Sequence, residues 1–190
     1  MYKAKTSVSG QLQEATLDII SHSSAQTQRM AMRLGGLLQG GELLLLDGQL
    51  GTGKTTFTQG LAQGLGISET ISSPTFTLLK EYAGQPRPAV MPAGKLNVGP
   101  ALYHFDLYRL DEPEEILDLG FDDYFYNDGS GVCVVEWAGK ADGIWLPERL
   151  QIRMKIMSET KRGLLFMATG TRYCELLQQF QKNTYATASS

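Results

Sequence analysis

Residues 43–56 read LLLLDGQLGTGKTT, an apolar run of strand length followed at once by a glycine-rich loop. The loop matches the pattern G-x-x-x-x-G-K-[ST], with Gly48, Gly53, Lys54 and Thr55 in its fixed positions. Helix-compatible residues follow the loop, so it has the strand before it and the helix after it that a phosphate-binding loop (P-loop) requires. An ordinary glycine-rich turn is the alternative, and this context disfavours it.

The spacing within the loop has a chemical reason. Glycines allow tight turns, so that successive N–H groups point at phosphate oxygens from the positive end of the following helix. Lys54 would reach the β- and γ-phosphates of a nucleoside triphosphate, and the Thr55 hydroxyl would bind Mg²⁺. Gly51, Thr52 and Thr56 would complete the contacts with the bound nucleotide.

Composition and charge narrow the class of protein. With 190 residues, 42% hydrophobic and 19% charged, the chain is long enough for one domain with a sizeable core. Its net charge of −3 argues against a standing attraction to nucleic acid, so a partner protein would hold any RNA involved. Cys133 and Cys174 match no metal or redox spacing. With no secretory pattern and no long apolar run, we expect a cytoplasmic protein without membrane association.

Strand-like and helix-like segments alternate along the chain, which predicts an α/β fold. We expect a P-loop NTPase-type three-layer sandwich with a mostly parallel central sheet, and an antiparallel pair near the C-terminus at 150–157 and 164–168. A loose arm (1–14), a single domain (15–182) and a frayed polar tail (183–190) make up the chain. The other expected elements are strands 15–21, 42–46, 76–82, 102–105 and 132–135, helices 23–38, 56–65, 121–126 and 171–182, a short acidic helix capped by Asp111, and a Pro- and Gly-rich excursion over 84–100.

Two acids stand at the ends of predicted strands. Asp106 follows Tyr103-His104-Phe105, and Glu136 follows the apolar run at 132–135. Parallel strands bring their carboxyl ends to one edge of a sheet, so both acids should line the nucleotide site and serve Mg²⁺ binding and catalysis. The sequence does not divide these roles, and one acid could instead cap the next loop.

Three neighbours of these acids have open roles. His104 lies on the same strand face as Asp106, and could act near the site or be a hydrogen-bonded structural histidine. Arg109 could stabilise phosphate charge or pair with the acidic helix. Trp137 could be a core aromatic, or a lid over a nucleotide or a partner.

A hydroxyl-rich loop, Ser73-Pro74-Thr75, occupies the place where other P-loop proteins keep a switch that senses the γ-phosphate. A plain surface loop is the alternative. Guanine reading needs Asn/Thr-Lys-x-Asp after a late strand, and the closest text, Gly-Lys-Ala-Asp at 139–142, lacks the first residue. ATP is therefore the expected nucleotide.

Several segments, in order, resemble the bacterial TsaE (YjeE) ATPases, which support formation of threonylcarbamoyladenosine in tRNA. The likeness covers about residues 16–157, and SPTFTL (73–78) and HFDLYR (104–109) are much more specific than the P-loop itself. The segments are LGTGKTTF (50–57), SPTFTL (73–78), HFDLYR (104–109), GFDDYF (120–125) and VEW (135–137).

The resemblance implies a small P-loop fold with weak ATP hydrolysis alone and function in complex with the TsaB–TsaD pair. ATP turnover would reset the transferase complex, and tRNA would be contacted only through that complex. Lys54 would contact the phosphates, Thr55 with Glu136 would hold Mg²⁺, Asp106 would be the second essential acid, and Trp137 would lie close to the nucleotide. The implied switch is made of Ser73, Pro74, Thr75 and Thr77.

Two features depart from the family pattern, and two rival functions stay open. Ala138 stands where the family usually has proline, and the 85–100 excursion is longer than expected. A stand-alone small-molecule kinase usually needs an arginine-rich lid, whereas residues 111–128 are acidic and contain no arginine. A nucleotide-gated binding module with negligible turnover would use the same residues.

Overall fold

The computed structural model describes residues 2–5, 12–86, 98–110, 115–116, 120, 122–125 and 130–186. Strands and helices alternate through this part of the chain, as the sequence predicts. The strands are β1 (Tyr2–Lys5), β2 (Glu14–Ser21), β3 (Leu43–Asp47), β4 (Leu79–Tyr82), β5 (Ala101–Asp106), β6 (Gly131–Glu136), β7 (Arg149–Ile156) and β8 (Arg162–Thr169); the helices are α1 (Ser24–Gly35), α2 (Lys54–Leu65), α3 (Asp122–Phe125), a 3-10 helix (Ala138–Ala141) and α4 (Thr171–Ala186).

The described strands form one mixed sheet in the order β1-β2-β8-β7-β3-β6-β5-β4. Its centre, β7-β3-β6-β5, is parallel. The remaining neighbours pair antiparallel, including the predicted β7–β8 hairpin. The predicted α/β class is confirmed, and the antiparallel additions lie at both edges of the sheet rather than only near the C-terminus.

The core lies on both faces of the sheet. In β3, Leu44 and Leu46 pack on one face with α1, α2 and α4, while Leu43 and Leu45 pack on the other with the 3-10 helix. Because both faces of β3 are buried, its apolar run shows no alternation. This arrangement holds the loop that follows β3 at the centre of the sheet edge.

Local signals explain the helix boundaries next to that loop. The Ser23 side chain accepts a hydrogen bond from the Gln26 N–H and caps α1. Helix α2 ends at Gly66, whose φ of 87° is the left-handed value that favours glycine. Both features agree with the sequence prediction, although α1 ends at Gly35 rather than near residue 38.

The terminal predictions need correction. The expected loose arm over 1–14 is wrong at Tyr2–Lys5, which pair with β2 as an edge strand. Their two lysines are typical of a protected sheet edge and carry no apolar signal. The expected polar tail from residue 183 is also wrong, since α4 continues to Ala186; residues 187–190 lie outside the described part.

Three internal predictions also change. The strand expected at 76–82 begins only at Leu79, because residues 75–78 form a turn. Within the 84–100 excursion, Pro86 pairs with Val98 as an isolated bridge, and the residues between them lie outside the described part. The predicted helix start at Asp111 lies outside it as well. In the part of the chain that the structure describes, no helix is long and apolar enough to cross a membrane.

Candidate functional site

The loop between β3 and α2 turns through glycines. Gly48, Gly51 and Gly53 have φ values of 149°, 80° and 96°, which non-glycine residues rarely adopt. A Cβ atom on Gly48 would also lie 2.4 Å from the backbone oxygen of Met154 on β7. The first glycine is therefore required both by its backbone angle and by the close approach of β7.

The helix that follows the loop starts without a cap. The residue at the cap position is Gly53, which has no side chain, and no side-chain cap bond reaches the N–H groups of the first turn of α2. Capping by Ser, Thr, Asp or Asn is the usual arrangement. An uncapped first turn leaves backbone N–H groups and the positive end of the helix dipole available to an anion.

Lys54 is folded back over its own loop. Its side chain is nearly buried (5% exposed), and Nζ donates to the backbone oxygens of Gly48 at 2.7 Å and Gln49 at 3.2 Å. The same nitrogen lies 3.6 Å from the centroid of the Trp137 ring. The ammonium group is thus held by carbonyl oxygens and an aromatic face.

Burial also changes the proton affinity of Lys54. Desolvation lowers the pKa of its ammonium below the ordinary value, while the charges of Glu136, Asp106 and Asp47 oppose that shift. The desolvation effect is the larger one. The lysine is therefore surrounded by carboxylates without a direct ion pair to any of them among the described contacts.

Glu136 has a different partner on each carboxylate oxygen. The Thr55 hydroxyl donates to Oε2 at 3.2 Å, and His104 Nε2 lies 2.9 Å from Oε1. The Thr58 hydroxyl is a more distant donor to Oε1 at 3.5 Å. The parallel register pairs Glu136 with Asp106, so both acids reach the same sheet edge.

Asp106 is tied to the hydroxyl-rich loop. The Ser73 and Thr75 hydroxyls both donate to Asp106 Oδ2, Thr75 at 2.7 Å, and these hydroxyl oxygens lie 2.6 Å from each other. The other oxygen, Oδ1, accepts the Tyr108 N–H at 2.9 Å. Two hydroxyl protons are shared among three short oxygen–oxygen contacts. Ser73, Thr75 and Asp106 therefore form one hydrogen-bonded unit.

The rest of that loop forms a strained turn. The N–H groups of Thr77 and Leu78 both donate to the Pro74 oxygen, at 2.9 and 2.8 Å. Leu78 has a φ of 63°, a backbone conformation that is unfavourable for a bulky residue. Pro74 and Thr77 therefore shape the loop, and neither lines the cavity that holds Asp106.

Trp137 and Arg109 occupy different surroundings. Trp137 has a φ of 62° and packs against Tyr108, with ring centroids 5.0 Å apart. The Arg109 guanidinium lies 4.0 Å from the centroid of the Phe76 ring, outside the cavity lining. Phe76 itself is 81% exposed, so this pair is at the surface of the switch loop.

Two cavities flank the P-loop, and Thr56 lines both of them. Thr52 is buried beside the smaller one, and its hydroxyl donates to the Gln49 oxygen at 2.9 Å within the loop. The larger cavity, of about 470 Å³, is lined by Leu50, Gly51, Gly53, Lys54, Thr55, Thr56, Ser73, Thr75, Asp106, Tyr108, Glu136 and Trp137. The smaller, of about 300 Å³, is lined by Ser23, Ser24, Thr27, Gly51, Thr52, Gly53, Thr56, Glu159, Thr160 and Arg162.

Sequence reasoning missed two residues that support the site. Asp47 accepts hydrogen bonds from the Gly139 N–H at 2.6 Å and from Gln151 at 2.9 Å, which fixes the start of the 3-10 helix after Trp137. It ends β3 as Asp106 and Glu136 end their strands, so the same rule could have found it. Arg162 donates to the Gly51 oxygen at 3.2 Å, and no local pattern signals that contact.

The oxygen donors at this edge suit a hard divalent cation. The Thr55 hydroxyl donates to the Glu136 carboxylate, and Asp106 lines the same cavity. Within the described ranges, no cluster of three or more His, Cys, Asp and Glu side chains could form an all-protein metal cage. Mg²⁺ suits such a site, because it usually takes one or two carboxylates and completes its shell with water and phosphate.

Comparisons with known proteins agree on one family. Residues 21–164 match the family model for "Threonylcarbamoyl adenosine biosynthesis protein TsaE". The chain is 40% identical to the tRNA threonylcarbamoyladenosine biosynthesis protein TsaE of Bacillus subtilis over 158 residues, 83% of this chain and 89% of that protein. The Treponema pallidum protein of the same name is 40% identical over 146 residues, 76% of this chain and 96% of that protein.

A solved structure extends the likeness to the fold. The crystal structure of YdiB from Bacillus subtilis superimposes with a TM-score of 0.70 at 34% sequence identity. The match covers 93% of this chain and 99% of that one. Because the family match spans most of the chain, this protein belongs to the TsaE family and has its role in tRNA threonylcarbamoyladenosine biosynthesis.

Proposed function

We propose that this chain binds ATP with Mg²⁺ and hydrolyses it, as an accessory subunit of the complex that forms threonylcarbamoyladenosine in tRNA. One observation supports this most strongly. The uncapped start of α2, the Lys54 ammonium and two buried carboxylates, Asp106 and Glu136, all converge on one cavity. Anion-binding and cation-binding groups side by side suit a triphosphate with its metal.

Each group has a role that fits its position. Lys54 would exchange its carbonyl contacts for the β- and γ-phosphates, and the loop N–H groups would bind phosphate oxygens. Thr55 and Glu136 would hold Mg²⁺, which neutralises phosphate charge when bound. Asp106 would orient the attacking water, and the Ser73 and Thr75 hydroxyls fix its carboxylate beforehand.

The two cavities would hold different parts of one nucleotide. Phosphates would occupy the larger one, where Lys54 and the acids lie. The ribose and base would occupy the smaller one, which adjoins Gly51 and Gly53 and ends at Arg162. Thr56 lines both, so a single ligand could extend from one to the other.

The partner is the TsaB–TsaD pair, and tRNA is reached only through that complex. ATP turnover would reset the transferase complex between rounds rather than phosphorylate a metabolite. The net charge of −3 fits indirect contact with RNA. Arg109 and the exposed Phe76 are candidates for contact with the pair, since Phe76 lies on the switch loop and Arg109, which follows β5, stacks on its ring.

The test follows ADP release by the protein alone, with the TsaB–TsaD pair, and with a mixture of small metabolites. We expect slow turnover alone and stimulation only by the protein pair. Turnover that depends on a metabolite would instead support a kinase. Binding of ATP without turnover under every condition would leave a nucleotide-gated binding module.

Lys54→Ala tests the loop itself. We expect it to abolish measurable nucleotide binding in equilibrium dialysis, because the phosphates lose their side-chain cation. Lys182→Ala is the matched control, since Lys182 is an exposed lysine of α4 far from the loop in sequence. Binding retained by Lys54→Ala would remove the phosphate role from this loop.

A further inference from the structure

A buried histidine lies directly behind the proposed metal ligand. His104 on β5 is completely buried, and its Nε2 atom is 2.9 Å from Oε1 of Glu136. Its other ring nitrogen, Nδ1, is buried with no hydrogen-bond partner among the described residues. Burying a polar side chain with one ring nitrogen unpaired is unfavourable. This cost calls for a reason why His104 is buried beside Glu136.

The unpaired nitrogen determines the tautomer. A proton on Nδ1 would be a buried donor without an acceptor, which costs about 1–3 kcal/mol. A proton on Nε2 instead donates to the carboxylate of Glu136. The arrangement therefore favours a proton on Nε2, facing Glu136.

The donors around Glu136 make His104 the main support of Oε1. The Thr58 hydroxyl is 3.5 Å from Oε1 but only 3.1 Å from the Lys54 backbone oxygen, and it has one proton to give. His104 is nearer to Oε1 and has no competing acceptor. Oε2 is thereby left facing the Thr55 hydroxyl at 3.2 Å.

We infer that His104 is a positioning residue: its Nε2–H holds Oε1 of Glu136 so that Oε2 and the Thr55 hydroxyl are presented together to Mg²⁺. This inference rests on the proposed function. It assigns His104 no contact with the nucleotide or the metal. Partners that orient a metal-binding side chain in this way typically change metal affinity by about 10–100-fold when removed.

The first test examines the free protein without nucleotide or metal. The chain has two histidines, and the exposed His22 is removed by His22→Gln so that only His104 is observed. In long-range ¹H–¹⁵N spectra we expect a protonated Nε2 and an unprotonated Nδ1. A ring protonated on Nδ1 and not on Nε2 would overturn the inference, whereas a proton on Nε2 supports it whatever the state of Nδ1.

The second test compares three substitutions by the Mg²⁺ concentration that gives half-maximal ATP turnover. His104→Leu removes the donor, and His104→Asn places its amide too far back, so both should raise that concentration by about tenfold. His104→Gln can place an amide N–H near the Nε2 position and should stay within about threefold of wild type. ATP binding in the presence of EDTA should be the same for all folded variants.

The outcomes separate the inference from the proposed function. Unchanged Mg²⁺ dependence in His104→Leu, beside an active wild-type protein, overturns the role of His104 alone. Equal losses in all three variants would indicate a merely structural histidine and overturn it as well. If His104→Leu does not fold, as judged by thermal unfolding, the Asn and Gln variants decide. A wild-type protein with no ATP binding overturns both proposals.

Discussion

The ammonium nitrogen of Lys54 lies 3.6 Å from the centroid of the Trp137 ring. Trp137 reaches this position in a left-handed backbone conformation, with a φ of 62°, which costs of order 1 kcal/mol for a non-glycine residue. Its N–H donates to the Leu46 oxygen at 2.9 Å, so the sheet edge holds the residue in place. If Lys54 exchanges its present contacts for phosphates, as proposed, the surroundings of Trp137 change when a nucleotide binds.

This coupling should be visible in fluorescence. The other tryptophan, Trp145, is buried and donates to the Ala138 oxygen at 3.0 Å, away from the cavity lining. In Trp145→Phe, all remaining tryptophan emission comes from Trp137, and we expect it to change on addition of ATP or ADP. In Trp137→Phe, the nucleotide-dependent change should be lost.

Calorimetry on the same two variants supplies the control. Both should still bind nucleotide, since neither substitution removes a phosphate contact. Constant emission from Trp145→Phe at nucleotide concentrations that saturate the calorimetric signal would show that Lys54 stays on the ring.

The lowered pKa of Lys54 predicts a pH-dependent contribution to stability. Because burial lowers its pKa in the folded protein, the unfolded chain binds more protons between that lowered value and the ordinary 10.5. Stability from this group therefore rises with pH across that window. Lys54→Met lacks the titration, so the free energy of unfolding of the wild type should increase relative to the variant as pH approaches 10.5.

Urea unfolding at a series of alkaline pH values measures this difference, and the variant cancels contributions from other titrating groups. A difference between the two proteins that stays constant with pH would mean that the Lys54 pKa is not lowered. A difference that falls with pH would mean that the neighbouring carboxylates outweigh desolvation.

The local sequence predicts the centre of this fold better than its edges. The P-loop, α2 and the buried β3 follow from glycine spacing and an apolar run, because each signal lies within a few residues. The parallel register that aligns Asp106 with Glu136 also follows from strand ends alone. Edge strand β1 does not, since four residues of mixed character pair only because β2 is adjacent.

Long-range contacts explain what else the sequence does not reveal. Arg162 meets Gly51 across 111 positions, and His104 meets Glu136 across 32. Such partners depend on how β8 and β5 are placed in the sheet. Arg109 illustrates the same limit, because the ring on which it stacks, Phe76, belongs to a loop far from it in the sequence.

Asp106 and the switch loop should act as one unit in stability. Ser73→Ala and Asp106→Ala each remove the hydrogen bond between the Ser73 hydroxyl and the buried Asp106 carboxylate, so each should destabilise the protein by about 1–3 kcal/mol. The double variant should lose less than the sum, with a coupling energy of about 1 kcal/mol or more. Thermal and urea unfolding of the four proteins measure it.

Thr77→Ala is the control for that cycle. It lies in the same loop, is exposed and lines neither of the two cavities beside the P-loop, so its effect should stay within about 0.5 kcal/mol. Strict additivity of Ser73→Ala and Asp106→Ala would contradict the direct contact.

Glycines bring α1 and α2 unusually close beside the P-loop. A Cβ atom on Gly35 would lie 2.3 Å from the Leu61 oxygen, and one on Gly64 would lie 2.1 Å from the Met32 oxygen. A Cβ atom on Gly60, one turn before Gly64 on α2, would meet the backbone of α1 equally closely. The backbone of one helix thus packs directly on the backbone of the other.

Gly60→Ala tests this close approach against helix propensity. Alanine should stabilise α2 by about 1 kcal/mol in isolation. A Cβ atom at position 60, however, would lie 2.2 Å from the Gln28 oxygen and 2.8 Å from the Ala31 Cβ, so the helices must separate. We expect a net loss of about 2 kcal/mol in urea unfolding.

Gly36→Ala is the matched control, since its nearest neighbours are 3.6 Å away and its φ is −66°, and it should leave stability unchanged or slightly raised. Equal effects of the two substitutions would mean that propensity, not helix contact, governs these glycines.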